Sequence, residues 1–144
     1  MLFQNILVPV DLSSQSTRAF KVALDVAKKY DSKITIITCL DVYAWHSLYY
    51  ELKSNSQLIQ KQKKIVMKYF KKLESIVKKN NISVKFKILT SESIVNDIVT
   101  FAKSQKHDLV IIGSHGRTGF NKWILGSISN GVTHRAKCPV LIVR

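Results

Sequence analysis

The sequence predicts an α/β fold: a mostly parallel sheet with helices on both faces. Three observations carry that prediction. Short, nearly continuous apolar runs suited to buried parallel strands alternate with segments whose apolar residues recur at three and four. Right-handed crossovers between parallel strands put the intervening helices on both sides of the sheet. No repeat, low-complexity stretch or linker interrupts the 144 residues, so one doubly wound domain spanning 1–144 is expected.

The elements follow in order. "FQNILVPV" is strand one, and "DLSSQS", rich in capping residues, leads into helix one, where Ala19, Phe20, Ala23, Val26, Ala27 and Tyr30 share a face. "KITIITCL" is strand two. "DVYAWHSLYYELKSNSQ" has no clean period, and residues 41–56, with Trp45, Tyr49 and Tyr50, suit either a lid or a partner surface. In "KQKKIVMKYFKKLESIVKKNN", lysines interleave with Ile65, Val66, Tyr69, Phe70, Leu73, Ile76 and Val77, which predicts an amphipathic helix two with a lysine-rich solvent face. "SVKFKIL" alternates as an edge strand does and is strand three. "SIVNDIVTFAKSQK" is helix three, "DLVIIG" strand four, "SISNGVTHRA" a short helix four, and "CPVLIVR" strand five.

Composition narrows the function classes. At 46% hydrophobic residues the chain can bury a core without disulfides or metals. No run approaches the roughly 18 apolar residues of a membrane span, and "MLFQNILVPV" lacks the basic region and cleavage site of a signal peptide. A cytoplasmic protein with no membrane partner is expected. Cys39 and Cys138 sit in apolar runs and read as buried, reduced thiols. The net charge of +14 opens polyanions as partners. Arginine occurs only at 18, 117, 135 and 144, and phosphate or base contacts favour arginine, so the charge reads mainly as solvated surface and nucleic acid ranks last.

All five glycines lie between Gly113 and Gly131. Glycine serves where the backbone takes positive φ or something approaches it closely; two ordinary turns and a helix cap would also use it. In parallel sheets ligands bind beyond the carboxyl ends of the strands, near the reversal of strand order. "PVDLSS", "CLDVY" and "GSHGRTG" stand at such ends. Gly126 and Ser127 directly precede helix four, whose free N–H groups and dipole suit an anion. Ser127 and Ser129 are expected to add hydroxyl donors, with Gly126 leaving room for a phosphate chain.

The spacing GxxGx9G[ST], together with "ILVPVDLS", "LD" after strand two, "DLVIIGSHGRTG", "LGSISNGV" and "CPVLIVR", closely resembles the ATP-binding subgroup of the universal stress proteins, over essentially the whole chain. That resemblance implies a five-stranded parallel sheet of the adenine nucleotide alpha hydrolase-like type, order 3-2-1-4-5. It implies ATP, with magnesium, as ligand and a homodimer through strand five, at Val140, Leu141, Ile142 and Val143. Pro9, Val10 and Asp11 would hold adenine and ribose, with Cys39 and Leu40 beside the base. Gly113, Ser114, His115, Gly116 and Arg117 would line ribose and phosphates, and Gly126, Ser127, Ile128 and Ser129 the phosphate tail. Asp11 would reach a ribose hydroxyl or help place magnesium. The family's frequent glycine before helix three is replaced by "LTSESI", so that turn is expected to differ.

Plainer roles stand beside these. Asp11 is read first as the cap of helix one, which leaves one carboxylate oxygen free. His115 has no carboxylate or nucleophile paired with it in sequence and suits positioning better than base catalysis. His46, His107 and His134 lack ligand spacing. Trp123 and Ile124 are expected to pack their loop against the domain, and Arg117 either reaches a phosphate or lies on the surface. Walker A, GxGxxG, SGGxDS and HxGH motifs are absent, as are triad and paired-carboxylate patterns. The expectation is a nucleotide-binding signalling module with at most slow ATP hydrolysis and a protein partner. The alternative is a dimeric stress interaction protein without nucleotide.

Overall fold

Ile6, Leu7 and Val8 are fully buried, because the strand they form is covered on both faces. The structure, a computed structural model, describes residues 2–42, 52–117 and 124–144, with side chains of the second helix described from 57 onward. The chain runs β1 (Asn5–Pro9), α1 (Ser14–Tyr30), β2 (Lys33–Asp41), α2 (Leu52–Lys78), β3 (Val84–Ser91), α3 (Ile94–Ser104), β4 (Leu109–Gly113), α4 (Ser127–Arg135) and β5 (Val140–Val143). The strands form one sheet in the order β3-β2-β1-β4-β5, and every neighbouring pair is parallel. The predicted fold class and strand order hold.

Two apolar layers enclose the sheet. Ile6, Val8, Ile34, Ile36 and Ile111 face α1 and α2, while Leu7, Ile37, Val110 and Ile112 face α3 and α4. Side chains alternate across a strand, so a strand covered on both sides needs apolar residues at every position. β3, at the edge, alternates instead: Val84, Phe86 and Ile88 lie under α2, while Lys85 and Lys87 are exposed. Phe86 meets Phe70 of α2 with ring centroids 4.9 Å apart.

Each helix has a local cause. Ser13 caps α1, its side chain accepting from the Ser16 N–H, and Asp31 ends it in the left-handed region. Between them Ala19, Phe20, Ala23, Leu24 and Ala27 are buried, and burying each large member contributes about 2 kcal/mol. The lysine-rich α2 starts at Leu52, earlier than its clear period suggested. "LKSNSQ" carries serines and an asparagine that favour caps and turns, yet adding residues to a formed helix costs far less than nucleating one. Before α3, Ser93 is extended at φ −147° and its carbonyl accepts from Asp97 N–H at 2.9 Å, so the turn works without glycine. At the amino ends of the central strands, Asp108 accepts from the N–H groups of Gln4 and Asn5 at 2.8 and 2.9 Å, clamping β1 to β4. Both cysteines are free thiols, half-buried against the α3–α4 layer.

Candidate functional site

The carboxyl ends of β1, β2 and β4 open onto a cavity of about 520 Å³. Of the fourteen residues expected to hold a ligand, twelve line it: Pro9, Val10, Asp11, Cys39, Gly113, His115, Gly116, Arg117, Gly126, Ser127, Ile128 and Ser129. Leu40 does not, because its side chain lies on the opposite face of β2 and packs in the α1–α2 layer. Ser114 does not either: it is buried, with Oγ 3.2 Å from His115 Nδ1. Its carbonyl instead ties the two glycine-bearing segments together, accepting from Gly126 N–H at 2.8 Å and from Ser129 Oγ at 2.8 Å.

Asp11 corrects the first reading of that residue. The cap of α1 is Ser13, and Asp11 Oδ1 accepts from the Ser13 N–H at 3.0 Å in the turn that precedes it. Leu12, at φ 70°, takes the left-handed conformation that turns the chain there. Arg117 reaches across from the β4 loop, its Nε donating to the Asp11 carbonyl at 2.9 Å. A Cβ on Gly116 would fall 2.4 Å from Asp11 Oδ2, so the absent side chain at 116 is what lets the carboxylate lie over that loop. Asp11 is thus a junction between two loops, and Arg117 is a brace as well as a cation at the cavity wall.

Gly126 is also closely approached by the protein itself. A Cβ there would meet the Ser114 carbonyl at 3.0 Å and His115 Cα at 3.3 Å. Beside the expectation that this glycine makes room for a phosphate stands a reason within the protein: it lets the neighbouring loop approach closely. The expectation for Ser129 changes, because its Oγ is committed to the carbonyls of Ser114 and Gly126 and has no proton left for a ligand.

The start of α4 keeps its donors. Gly126 supplies no side-chain cap, and the first intrahelical bond runs from Asn130 N–H to the Gly126 carbonyl. Among the described residues, no acceptor takes the N–H groups of Ser127 and Ile128, and the helix dipole adds partial positive charge at that point. The same cavity is lined by apolar side chains: Ile37 and Cys39 from β2, Ile94 and Ile98 from α3, and Ile112 from β4. Burial first, then the charge of Asp97, pushes the Cys39 thiol up to about 12, so it belongs to this wall as a neutral group. His115 Nε2 is buried with no hydrogen-bond partner. The arrangement suits a ligand with a flat, apolar body and an anionic end.

The isoleucines of that wall, with Ser16 and Leu125, also line the cavity and were missed in the sequence. Ile37 stands two residues before Cys39 on the same face of β2, and Ile94 and Ile98 are one helical turn apart on α3. That signal is present, but using it requires knowing that α3 covers this side of the sheet. Ile124 also lines the cavity yet is 63% exposed, so it does not pack its loop against the domain as expected. Trp123 and most of the 41–56 segment lie outside the described residues.

The family model described as the universal stress protein family matches residues 2–144. A universal stress protein of Methanocaldococcus jannaschii is 32% identical over 146 residues, spanning 99% of this chain and 83% of that protein. Among solved structures, a universal stress protein from Lactobacillus plantarum superposes with a TM-score of 0.89 at 23% identity, covering 100% of this chain and 99% of that one. The universal stress protein from Archaeoglobus fulgidus in complex with dAMP superposes at 0.67 with 20% identity and full coverage of both chains. At those identities the two structures speak for the fold.

Proposed function

The chain belongs to the universal stress protein family, and from that premise we propose that it binds an adenine nucleotide, ATP foremost, as a stress-response signalling module with at most slow hydrolysis. The observation that carries the reading is that one cavity is lined both by the start of α4, whose first N–H groups have no acceptor among the described residues, and by a set of apolar side chains. The base lies against Ile37, Cys39, Ile94, Ile98 and Ile112, near Pro9 and Val10. The phosphates meet the N–H groups of Ser127 and Ile128, the Ser127 hydroxyl and the guanidinium of Arg117. His115 Nε2 donates to or accepts from the ligand according to its tautomer, and Gly113 and Gly116 line the same cavity, their missing side chains turned toward Gln15 and Asp11. Asp11 faces a ribose hydroxyl or a magnesium ion. It is the one carboxylate among the described cavity residues, which fits an ion held chiefly by phosphates and water.

The test is titration calorimetry with Mg-ATP, ADP and AMP on protein freed of co-purified nucleotide, using Ser127→Glu as the variant. A carboxylate in the first turn of α4 favours the helix dipole and leaves the fold intact, yet it repels phosphate. Affinity should fall by about tenfold to hundredfold with no loss of thermal stability. Gly126→Val would not discriminate, because the branched side chain collides with the Ser114 loop. Equal affinity for the variant would remove α4 from the phosphate site.

One observation favours a second reading, a dimeric stress interaction protein that needs no nucleotide. Gly116 and Gly126 each have a protein neighbour that accounts for them, so their presence does not by itself require a ligand. Absence of heat with any of the three nucleotides would select this reading.

A further inference from the structure

Within the protein His115 uses one ring nitrogen and leaves the other idle. Its Nδ1 lies 3.2 Å from the Ser114 hydroxyl, while its Nε2 is buried and meets no partner among the described residues. Ser114 is 5% exposed, so its hydroxyl proton needs an acceptor inside the protein. The other described hydrogen bonds of Ser114 run through its backbone: its N–H donates to the Val143 carbonyl, and its carbonyl accepts from the Gly126 N–H and Ser129 Oγ. A neutral ring then has a choice of tautomer. With the proton on Nδ1, the ring donates to Ser114, and both the serine proton and the Nε2 lone pair are left without a partner. With the proton on Nε2, Ser114 donates to Nδ1 and the Nε2 proton alone is left. Each buried polar group without a partner is costly, so the second tautomer is favoured.

We infer that Ser114 is a positioning residue: it holds His115 with the proton on Nε2, so that the histidine offers a ligand's phosphate a donor and never an acceptor. The imidazolium also carries a proton on Nε2, so the offer is the same in either charge state. His115 lines the cavity and stands beside the start of α4, where a Cβ on Gly126 would fall 3.3 Å from the His115 Cα. The N–H groups of Ser127 and Ile128, which have no acceptor among the described residues, belong to that start. The other titratable or charged side chains lining the cavity are Asp11, Cys39 and Arg117. Asp11 Oδ1 takes the Ser13 N–H, and neither Asp11 nor Cys39 takes the Nε2 proton. Donors gathered without an acceptor suit an anionic oxygen, which a phosphate monoester supplies. A bare Nε2 lone pair in the same place would repel that oxygen, so the tautomer decides whether His115 favours or opposes the anion. For its ligand the inference rests on the nucleotide-binding reading; the tautomer itself needs no nucleotide. It also gives Ser114, which does not line the cavity, a function there.

The experiment is NMR of the histidine ring nitrogens in the full chain, joined to titration calorimetry with AMP and adenosine. In the protein without nucleotide, and with the ring neutral, His115 should be protonated at Nε2 and bare at Nδ1. A proton on Nδ1 overturns the inference, and this reading needs no variant to fold. Ser114→Ala should give a mixture of tautomers at His115; a ring that stays wholly in the Nε2–H form removes Ser114 as the residue that sets it. AMP should shift the Nε2 resonance and adenosine should leave it in place. His115→Leu should lose about tenfold in affinity for AMP and keep its affinity for adenosine. His115→Gln, whose amide can place an N–H near the position of Nε2, should recover most of the loss. Unchanged AMP affinity in His115→Leu overturns the donor role, and an equal loss for adenosine overturns the assignment to phosphate. Should neither AMP nor adenosine bind while His115 carries its proton on Nε2, the nucleotide-binding reading falls and the ligand role with it, whereas the hold of Ser114 on the ring is upheld.

Discussion

A side chain at Gly116 would press on the Asp11 carboxylate, and one at Gly126 on the Ser114 carbonyl. A sequence shows that a glycine is present, but not which neighbour required it. Asp11 makes the same point from the other direction: its spacing before α1 suggested a cap, and Ser13, two residues on, takes that place. His107 is the residue with a pH consequence. Its ring stacks on Phe101 with centroids 5.7 Å apart, and its Nδ1 is buried without a partner. Burial lowers its pKa from the ordinary value, partly opposed by the carbonyls of Ala102 and Phe101 and the charge of Asp108. The unfolded chain therefore binds a proton before the folded one does, and stability should fall as pH drops below about 6.5. Urea unfolding at about pH 7 and about pH 5 checks this. The midpoint should fall less in His107→Gln than in the unaltered protein, and an identical fall in both would rule His107 out as the source.

Among the elements, α1 is the most fully specified by its own residues. Its capping serine, its buried stripe at three and four and its left-handed stop at Asp31 all act locally; the stripe and the capping-rich "DLSSQS" are legible in the sequence, while the stop at Asp31 emerged from the structure. Ser13→Ala should cost about 1 kcal/mol by removing the acceptor of the Ser16 N–H, seen as a lower urea midpoint with unchanged slope. An unchanged midpoint would mean that water or a neighbour caps the helix equally well. The start of α2 at Leu52 and the turn before α3 were less legible. Both depend on what the segment joins, since a helix already nucleated extends through indifferent residues, and an extended Ser93 needs no special residue type.

For the whole molecule, the two edges of the sheet differ in kind. β3 exposes Lys85 and Lys87, charges that discourage pairing with another strand. β5 carries no charge: Leu141 is 40% exposed, while Val140 and Ile142 pack on the α3–α4 layer and Val143 is 8% exposed. We propose from this asymmetry a homodimer through β5, with each copy covering the other's edge. Leu141→Lys is the substitution that reads it, since lysine at Val140 or Ile142 would also disturb the core. Light scattering should give monomers for Leu141→Lys with the fold retained; a variant that stays dimeric would move the interface elsewhere.

The sequence by itself determined the alternation of strands and helices, the double-sided burial of β1 and β4, the lysine-rich face of α2 and most of the segments that meet at the cavity. These follow from periodicity and composition, which act over a few residues and are written into the chain. Only the tertiary structure decided that Ile94 and Ile98 wall the cavity, that Leu40 and Ser114 turn away from it, that the Ser129 hydroxyl is already committed, and that Gly116 and Gly126 accommodate Asp11 and Ser114. Those facts depend on which residues far apart in the chain come within contact distance, and contact is set by how the helices pack on the sheet.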